Sequence, residues 1–555
     1  MKKLATLLLA AAMVLGSVAG AQAIDWKVRG TWQMEFGLYD GLNFTKHAAS
    51  TQRDPQRKRQ AGAGQNGDTF QSGHRINLVL QAVASEHLSG TLHFEIGSTQ
   101  WGQVQGTNTT RQTGGALGQR AAYVATREAY IDWFVPNTDL RVRMGVQSFN
   151  NPSFTMGPLV FGQDVAAVTG TYKFNDNASL TAFWARAAND NYREAAATAA
   201  APNANERFRD SRRSYMDNAD AFGLVVPLRF DGFRVTPWGM IGMVGPNVTG
   251  TGIGLAQGDR INSAVLNGVR PYYAQTHRVK NGRAITPKQY ATAWWAGLTG
   301  EVTAVDPFRF AWDANYGSVT NPGVGYLDRS GWHVNLLAEY KLDWGVPGIY
   351  FWYGSGDDGN PRNGSEQMPV FDVGNPNSGF STFGMSGSPQ TATPESVMGQ
   401  NFYTGTWGIG VRIRDMSFIE DLKHTLRVNL FGGTNSPAMA KYILGKKNIG
   451  DDFRTVARGY DFNGGNHVDG VGGTNNALGT SGAGMYLTTL DYGVEINLDH
   501  SYKIYENLEM IVEMGYIHLW LDQSKSVWGP SRDGNIRGVS LTDAVKASVF
   551  FRYSF

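Results

Sequence analysis

The sequence predicts an all-β protein, a transmembrane antiparallel β-barrel of eighteen strands, with sixteen as the alternative count. Three observations predict it: stretches of alternating apolar and polar residues recur along the chain, short connections alternate strictly with long ones, and no run after residue 23 approaches eighteen consecutive apolar residues. Without a helical span, a chain that crosses a membrane must do so as a closed barrel, because only closure pairs every backbone group. A soluble sandwich would bury its apolar faces against a second sheet and would give no reason for every second connection to be long. Several alternating runs also reach roughly ten to thirteen residues, beyond the five or six usual in globular sheets. That length matches the nine to eleven tilted residues that cross a bilayer.

Composition agrees. Glycine is abundant at 69 residues, aromatics make up 12%, charged residues only 17%, and cysteine is absent. Few charges with many aromatics suit a lipid-facing band between aromatic girdles. The mean hydropathy of -0.30 is unremarkable because outward apolar residues alternate with polar ones. The absence of cysteine excludes a disulfide framework and thiolate chemistry. The formal charge of +2 falls to about zero without Lys2 and Lys3, so nothing global points to nucleic acid.

Residues 1–23 carry Lys2 and Lys3, an apolar run from Leu4 to Val14, and Ala21-Gln22-Ala23, the pattern of a secretory signal with a cleavage site. The apolar run is too short for a spanning helix, so residues 24–555 are expected to form one barrel domain beginning at Ile24. Trp26, Val28, Trp32, Met34, Phe36 and Leu38 share a face with Gly30, against Lys27, Arg29, Thr31, Gln33 and Glu35. A strand so close to the expected mature terminus leaves no room for a plug. The polar stretch that follows, with Arg53, Arg57, Lys58 and Arg59, reads as a solvated loop or a contact for anionic head groups.

Hairpins follow in order: Ile76 to Ala82 with Leu92 to Ile96, then Val124 to Val135 with Leu140 to Val146 around Pro136-Asn137. Next come 165–174 with 178–186, 222–230 with 233–243, 291–302 with 308–317, and 330–341 with 347–355. The last pairs are 402–413 with 422–433 and 487–499 with 508–520, before the terminal strand Ala544 to Phe555. An even count puts both termini on the short-turn side, which in outer-membrane barrels is the periplasm, and the long loops outside. Trp26, Trp133, Phe230, Phe233, Phe308, Tyr340, Tyr553 and Phe555 lie near the short-turn ends, as a girdle would.

R-E-A-Y-I-D-W at 127–133 with R-M-G-V-Q at 143–147 resembles the outer-membrane homotrimeric porins of sulfate-reducing bacteria. The resemblance implies a homotrimer, and it implies that the third long loop folds into the pore. Here that loop is 148–164, S-F-N-N-P-S-F-T-M-G-P-L-V-F-G-Q-D, more apolar than the other long connections. The terminal Phe555 resembles the signal read by barrel-assembly machinery.

A barrel this wide leaves a water-filled lumen, so passive diffusion of small hydrophilic solutes is the expected function. Strand parity puts Arg29, Arg75, Arg141, Arg143, Arg412, Arg414 and Arg427 in the lumen, with Glu128, Asp132 and Glu495 among the acids. Opposed charges would set a transverse field. Arg141 and Arg143, on the strand feeding the constriction loop, are expected to form its basic side, with Phe154 and Asp164 on the loop itself. A weak anion preference is expected. No G-x-S-x-G, P-loop or H-E-x-x-H points to an enzyme. His424 and His518 fall on the lipid-facing parity, with no evident serine or acid partner. Asp357 and Asp358 could offer oxygens to a loop-bound calcium, which a plain turn explains equally well. The expected setting is the outer membrane of a Gram-negative bacterium, among lipid and lipopolysaccharide, and the other reading is a surface binding or adhesion barrel using its long loops.

Overall fold

Period-two alternation becomes extended backbone almost everywhere the sequence predicts it. A computed structural model describes residues 24–40, 45–47, 69–102, 117, 124–189, 218–245, 289–373, 404–439, 487–520, 539–541 and 543–555. The predicted signal, residues 1–23, and the basic run at Arg53 to Arg59 lie outside the described residues.

The chain forms eighteen barrel strands. They are β1 (Asp25–Asp40), β2 (Thr69–Ser85), β3 (Leu88–Gln100), β4 (Val124–Phe134), β5 (Leu140–Asn150), β6 (Phe161–Lys173) and β7 (Ser179–Asn189). Next come β8 (Asn218–Val225, resuming at Leu228–Phe230 after Val226-Pro227), β9 (Phe233–Val244), β10 (Ala291–Val302), β11 (Phe308–Thr320), β12 (Arg329–Tyr340) and β13 (Val346–Gly354). The ring is completed by β14 (Thr406–Ile419), β15 (Leu422–Gly433), β16 (Tyr492–Tyr505), β17 (Leu508–Trp520) and β18 (Ala544–Ser554). Each pairs antiparallel with its sequence neighbour, and β18 pairs with β1, so the barrel sheet has no edge. Pro227 interrupts β8 because it cannot donate to the ladder.

Several strands are longer than the sequence pattern suggested, β2 reaching 17 residues. The extra residues lie at the long-loop ends, where a ladder can rise beyond lipid and the apolar rhythm is no longer required. Closure also fixes the terminus. Phe555 exchanges backbone hydrogen bonds with Gly30, at 2.9 Å and 3.0 Å, and its ring fills the space that a side chain at residue 30 would need. A Cβ on Gly30 would stand 2.5 Å from the Asn77 carbonyl oxygen and 2.7 Å from Phe555 Cζ, so this position admits only glycine.

Exposure follows parity. Trp26, Val28, Trp32 and Leu38 are exposed while Gln33 and Glu35 are buried. On β12, Trp332, Leu336 and Tyr340 face out, with His333, Asn335 and Glu339 facing in. From Trp332 to Tyr340 is roughly 20 Å along the barrel axis, taking about 3.3 Å per residue and a tilt near 40°. That separation sets the height of the apolar band. Phe550, an apolar residue on the same face as Lys546, Ser548 and Arg552, is fully buried on the inward parity, opposite Glu35 and Ile511.

Candidate constriction and pore lining

The connection from β5 to β6, residues 151–160, turns into the barrel. Its apolar residues explain why: Met156, Leu159 and Val160 are buried with Phe149, Phe161 and Phe183, whose rings pack at 5.0 Å and 4.3 Å between centroids. The tip is held by a carboxylate five strands along the wall. Asp313 of β11 accepts from Ser153 Oγ at 2.6 Å, from the Phe154 backbone N–H at 3.0 Å, and from the hydroxyls of Thr155 and Thr299. A carboxylate only 1% exposed is tolerable because four donors fill its lone pairs. Arg309 Nη2 also donates to the Phe154 carbonyl at 2.9 Å, and the Arg234 guanidinium lies 5.3 Å from the Phe154 ring centre. Phe154 therefore lies at the loop tip, between Arg309 of β11 and Arg234 of β9.

A second inward segment, residues 365–373, is not foreseen by the sequence. It follows β13 and lines the inner wall of β10 to β12. Arg329 donates to the carbonyls of Gln367 and Met368 at 3.0 Å each, and Trp295 Nε1 donates to the Pro369 carbonyl at 2.8 Å. The segment ends by pairing in parallel with Phe161 and Gly162 of β6. Met368, Val370 and Phe371 bury against the same apolar cluster as the first loop. Gly331 is required here, since a side chain would collide with the Glu366 carbonyl oxygen and the Met368 nitrogen. Two inward segments thus line the long-loop end of the β6–β12 side.

The charged wall centres on Glu339. It accepts from Arg309 Nη1 at 2.8 Å, Arg412 Nη2 at 2.7 Å and Arg414 Nε at 2.8 Å. Glu301 bridges Arg309, at 2.8 Å, and Arg234. Arg427 pairs with Asp499 on the adjoining strand. These groups differ in reach: the Glu301 and Glu339 side chains are 2% and 1% exposed, against 51% for Arg234 and 36% for Arg414. Glu301 and Glu339 lie behind while Arg234 and Arg414 meet the water; Arg412, 9% exposed, is buried with the acid it binds. Glu495 is buried near Asn429 and Asn497, which donate to it at 3.4 Å and 2.9 Å.

The other expected pore residues fall elsewhere. Arg143 makes a bidentate pair with Asp132, both bonds 2.8 Å, and stacks on Tyr130 with its guanidinium 4.0 Å from the ring centre. Arg141 and Arg143 sit near the short-turn end of β5, away from the loop tip; the arginines that touch the loop are Arg309 and Arg234. Glu128 lies 3.6 Å from His93, Arg75 lies 3.4 Å from Glu95, and Arg29 is exposed near the short-turn end of β1. Asp164 is not in the lumen. It shares the outward parity of Ala166 and Val168, and Arg127 binds it at 2.8 Å.

On the outward face His518 does have an acid partner: Asp543 accepts from Tyr516 OH at 2.7 Å and lies 2.5 Å from His518 Nδ1. His424 meets His500 across the strands at 2.6 Å. In the β13–β14 connection, Asp358 accepts from Asn360 N at 2.6 Å and Asn363 Nδ2 at 2.9 Å, while Asp357 accepts from Ser365 Oγ. Their oxygens thus build a turn, and among the described residues no group of three or more His, Asp or Glu is placed to hold a metal. Burial, with Asp358 and Asp357 nearby, pushes the Glu366 carboxyl above its ordinary range.

No family model matches the chain. No curated protein sequence matches it either. Among solved structures it is similar to OccAB3 of Acinetobacter baumannii, at 9% identity and TM-score 0.46, over 95% of this chain and 99% of that one. It is also similar to OccK8 (OprE) of Pseudomonas aeruginosa, at 10% identity and TM-score 0.45, over 97% and 99%. OccK9 (OpdG) of Pseudomonas aeruginosa gives 10% identity and TM-score 0.45, over 95% and 98%. What this barrel does must come from its own lumen.

Proposed function

We propose that the protein is a porin of the outer membrane of a Gram-negative bacterium, a water-filled channel for passive diffusion of small hydrophilic solutes and ions with a weak preference for anions. The observation that carries this reading is a closed barrel with a polar interior, narrowed by a loop that turns inward between β5 and β6 and is pinned by Asp313 to β11, five strands along the wall. A loop folded inward is wasted on a structural shell, whereas in a conduit it sets the cutoff. The anion preference rests on the different reach of the wall charges: Arg234 and Arg414 meet the water while Glu301 and Glu339 lie beneath them. A permeating ion therefore meets positive charge first.

The R-E-A-Y-I-D-W and R-M-G-V-Q motifs lie on β4 and β5, which pair with each other, and they support membership in the homotrimeric porins of sulfate-reducing bacteria. Membrane lipid, lipopolysaccharide, other copies of the chain and the barrel-assembly machinery are the proposed partners. Liposome swelling in sugars of increasing size tests the conduit, and the expected result is swelling that stops at a sharp size limit. Reversal potential in a salt gradient tests the charge reading, and cation preference would overturn it.

A further inference from the structure

The outward wall is not uniformly bulky. On β11 to β14 one row across the strands, from Phe310 through Ala338 and Ile349 to Val411, sets a single methyl group among large side chains. Phe310, Ile349 and Val411 are exposed, and the furrow left between them continues toward the short-turn end past Tyr340, Pro347 and Ile413. It holds about 490 Å³, and Leu426 of β15 completes its lining. The Phe308 ring lies 6.0 Å from that of Phe310, nearly parallel to it, and 4.8 Å from that of Tyr340, so one wall is a packed aromatic ridge.

An imidazole pair stands at the foot of this furrow. His424 is two residues from Leu426, about 7 Å along the strand, and shares its face with the exposed Leu430. His500 pairs with it across the ladder and shares the face of Ile496 and Tyr502, both exposed. Their Nδ1 atoms are 2.6 Å apart, so one ring donates and the other accepts. A neutral ring that accepts through Nδ1 carries its hydrogen on Nε2, and a neutral ring that donates through Nδ1 keeps a lone pair on Nε2. Beyond the shared bond, the pair therefore offers one donor and one acceptor. Phe418 packs on His424, with ring centres 6.5 Å apart, and on Trp344 at 6.1 Å. The imidazoles thus belong to the aromatic rim of the short-turn end, the level at which hydrocarbon gives way to head groups. Polar nitrogens at that depth need partners.

We propose that furrow and pair together bind one glycerophospholipid, with an acyl chain along Ala338 and a phosphoethanolamine head group on His424 and His500. The juxtaposition selects the occupant. An apolar furrow that opens within the membrane-spanning face suits an acyl chain, and the pair at its foot suits a head group that both accepts and donates. Phosphate oxygens accept from one Nε2–H, and the ammonium donates to the other Nε2. A choline head group has the same phosphate but no N–H, so it satisfies only half of the pair. The proposal rests on the outward face being the membrane-spanning face, and it does not depend on what the lumen conducts.

The test is native mass spectrometry of the folded barrel in mild detergent, titrated with phosphatidylethanolamine or with phosphatidylcholine of the same acyl chains. The expected result is one ethanolamine lipid on the unmodified chain, held about tenfold more tightly than the choline lipid, the equivalent of one hydrogen bond. Ala338→Trp fills the furrow and should lose both lipids, while Ile241→Trp, on the exposed outward face of β9, should lose neither. His424→Phe keeps a ring beside the furrow and should bind both lipids equally. Heat-modifiable migration confirms that each variant has formed a barrel. No lipid on the unmodified chain, equal affinity for the two lipids, undiminished binding in A338W, or an ethanolamine preference that survives in H424F would each overturn the proposal. Conductance is read on the same samples, so that a silent channel that still binds the lipid counts against the pore alone.

Discussion

Replacing Asp313 with alanine should loosen the constriction without unfolding the barrel. Three of the donors to this carboxylate, Ser153 Oγ, the Phe154 N–H and Thr155 Oγ1, belong to the loop tip, while Thr299 belongs to the wall. A hydrogen bond to a charged acceptor contributes about 1.5–3 kcal/mol, and water in the lumen can replace part of it. Taking the low end, the tip loses about 4–5 kcal/mol of docking energy. At 1.4 kcal/mol per factor of ten, the ratio of docked to released tip falls by about three decades. The base of the loop stays, because Met156, Leu159 and Val160 remain buried, and burial stabilises an apolar side chain by about 1.5–3 kcal/mol. Single-channel recording in planar bilayers should show D313A with higher conductance and noisier openings. D313N should be intermediate because its amide oxygen still accepts. Heat-modifiable migration of each variant confirms that the barrel has formed. Identical conductance and noise in folded D313A would refute the latch.

Further expectations concern the wall, the terminus and the loop. Glu339→Gln removes the acid shared by Arg309, Arg412 and Arg414, so the reversal potential in a tenfold salt gradient should move further toward anions; a move toward cations would contradict the buried-acid account. Deleting Phe555, or placing leucine at Gly30, breaks the contact that seals β18 on β1 and should lower the yield of folded barrel in the outer membrane while leaving export intact. Glu366 titrates above its ordinary value of 4.5 because folding buries it. A raised carboxyl pKa favours the folded segment in full below the ordinary value, and the benefit is lost as pH rises through the raised one. Protection factors in residues 355–367, taken relative to the intrinsic exchange rate at each pH, should therefore be higher at pH 4 than at pH 8, with the difference reduced in Glu366→Gln.

The sequence showed the barrel because membrane strands must alternate, and alternation survives in residues such as Trp332, Leu336 and Tyr340. It showed the first inward loop because Met156, Leu159 and Val160 are too apolar for a surface connection. It hid the second, since Glu366 to Phe371 has no period and its fit depends on Gly331 and Trp295, distant in the chain. Asp164 was read as part of the 148–164 loop because the strand was taken to begin at Val165, whereas β6 begins at Phe161 and includes it. The pairing of His518 with Asp543 spans a long loop and was equally out of reach. Arg141 and Arg143 were favoured by position along the chain, whereas the loop reaches across to β9 and β11, whose arginines then touch it.

Conductance of the purified, folded protein in a planar bilayer tests the central claim most directly. A porin built this way should insert in discrete steps, each open and ohmic at low voltage, with conductance rising in proportion to salt. A heat-modifiable barrel that inserts and stays electrically silent would contradict it.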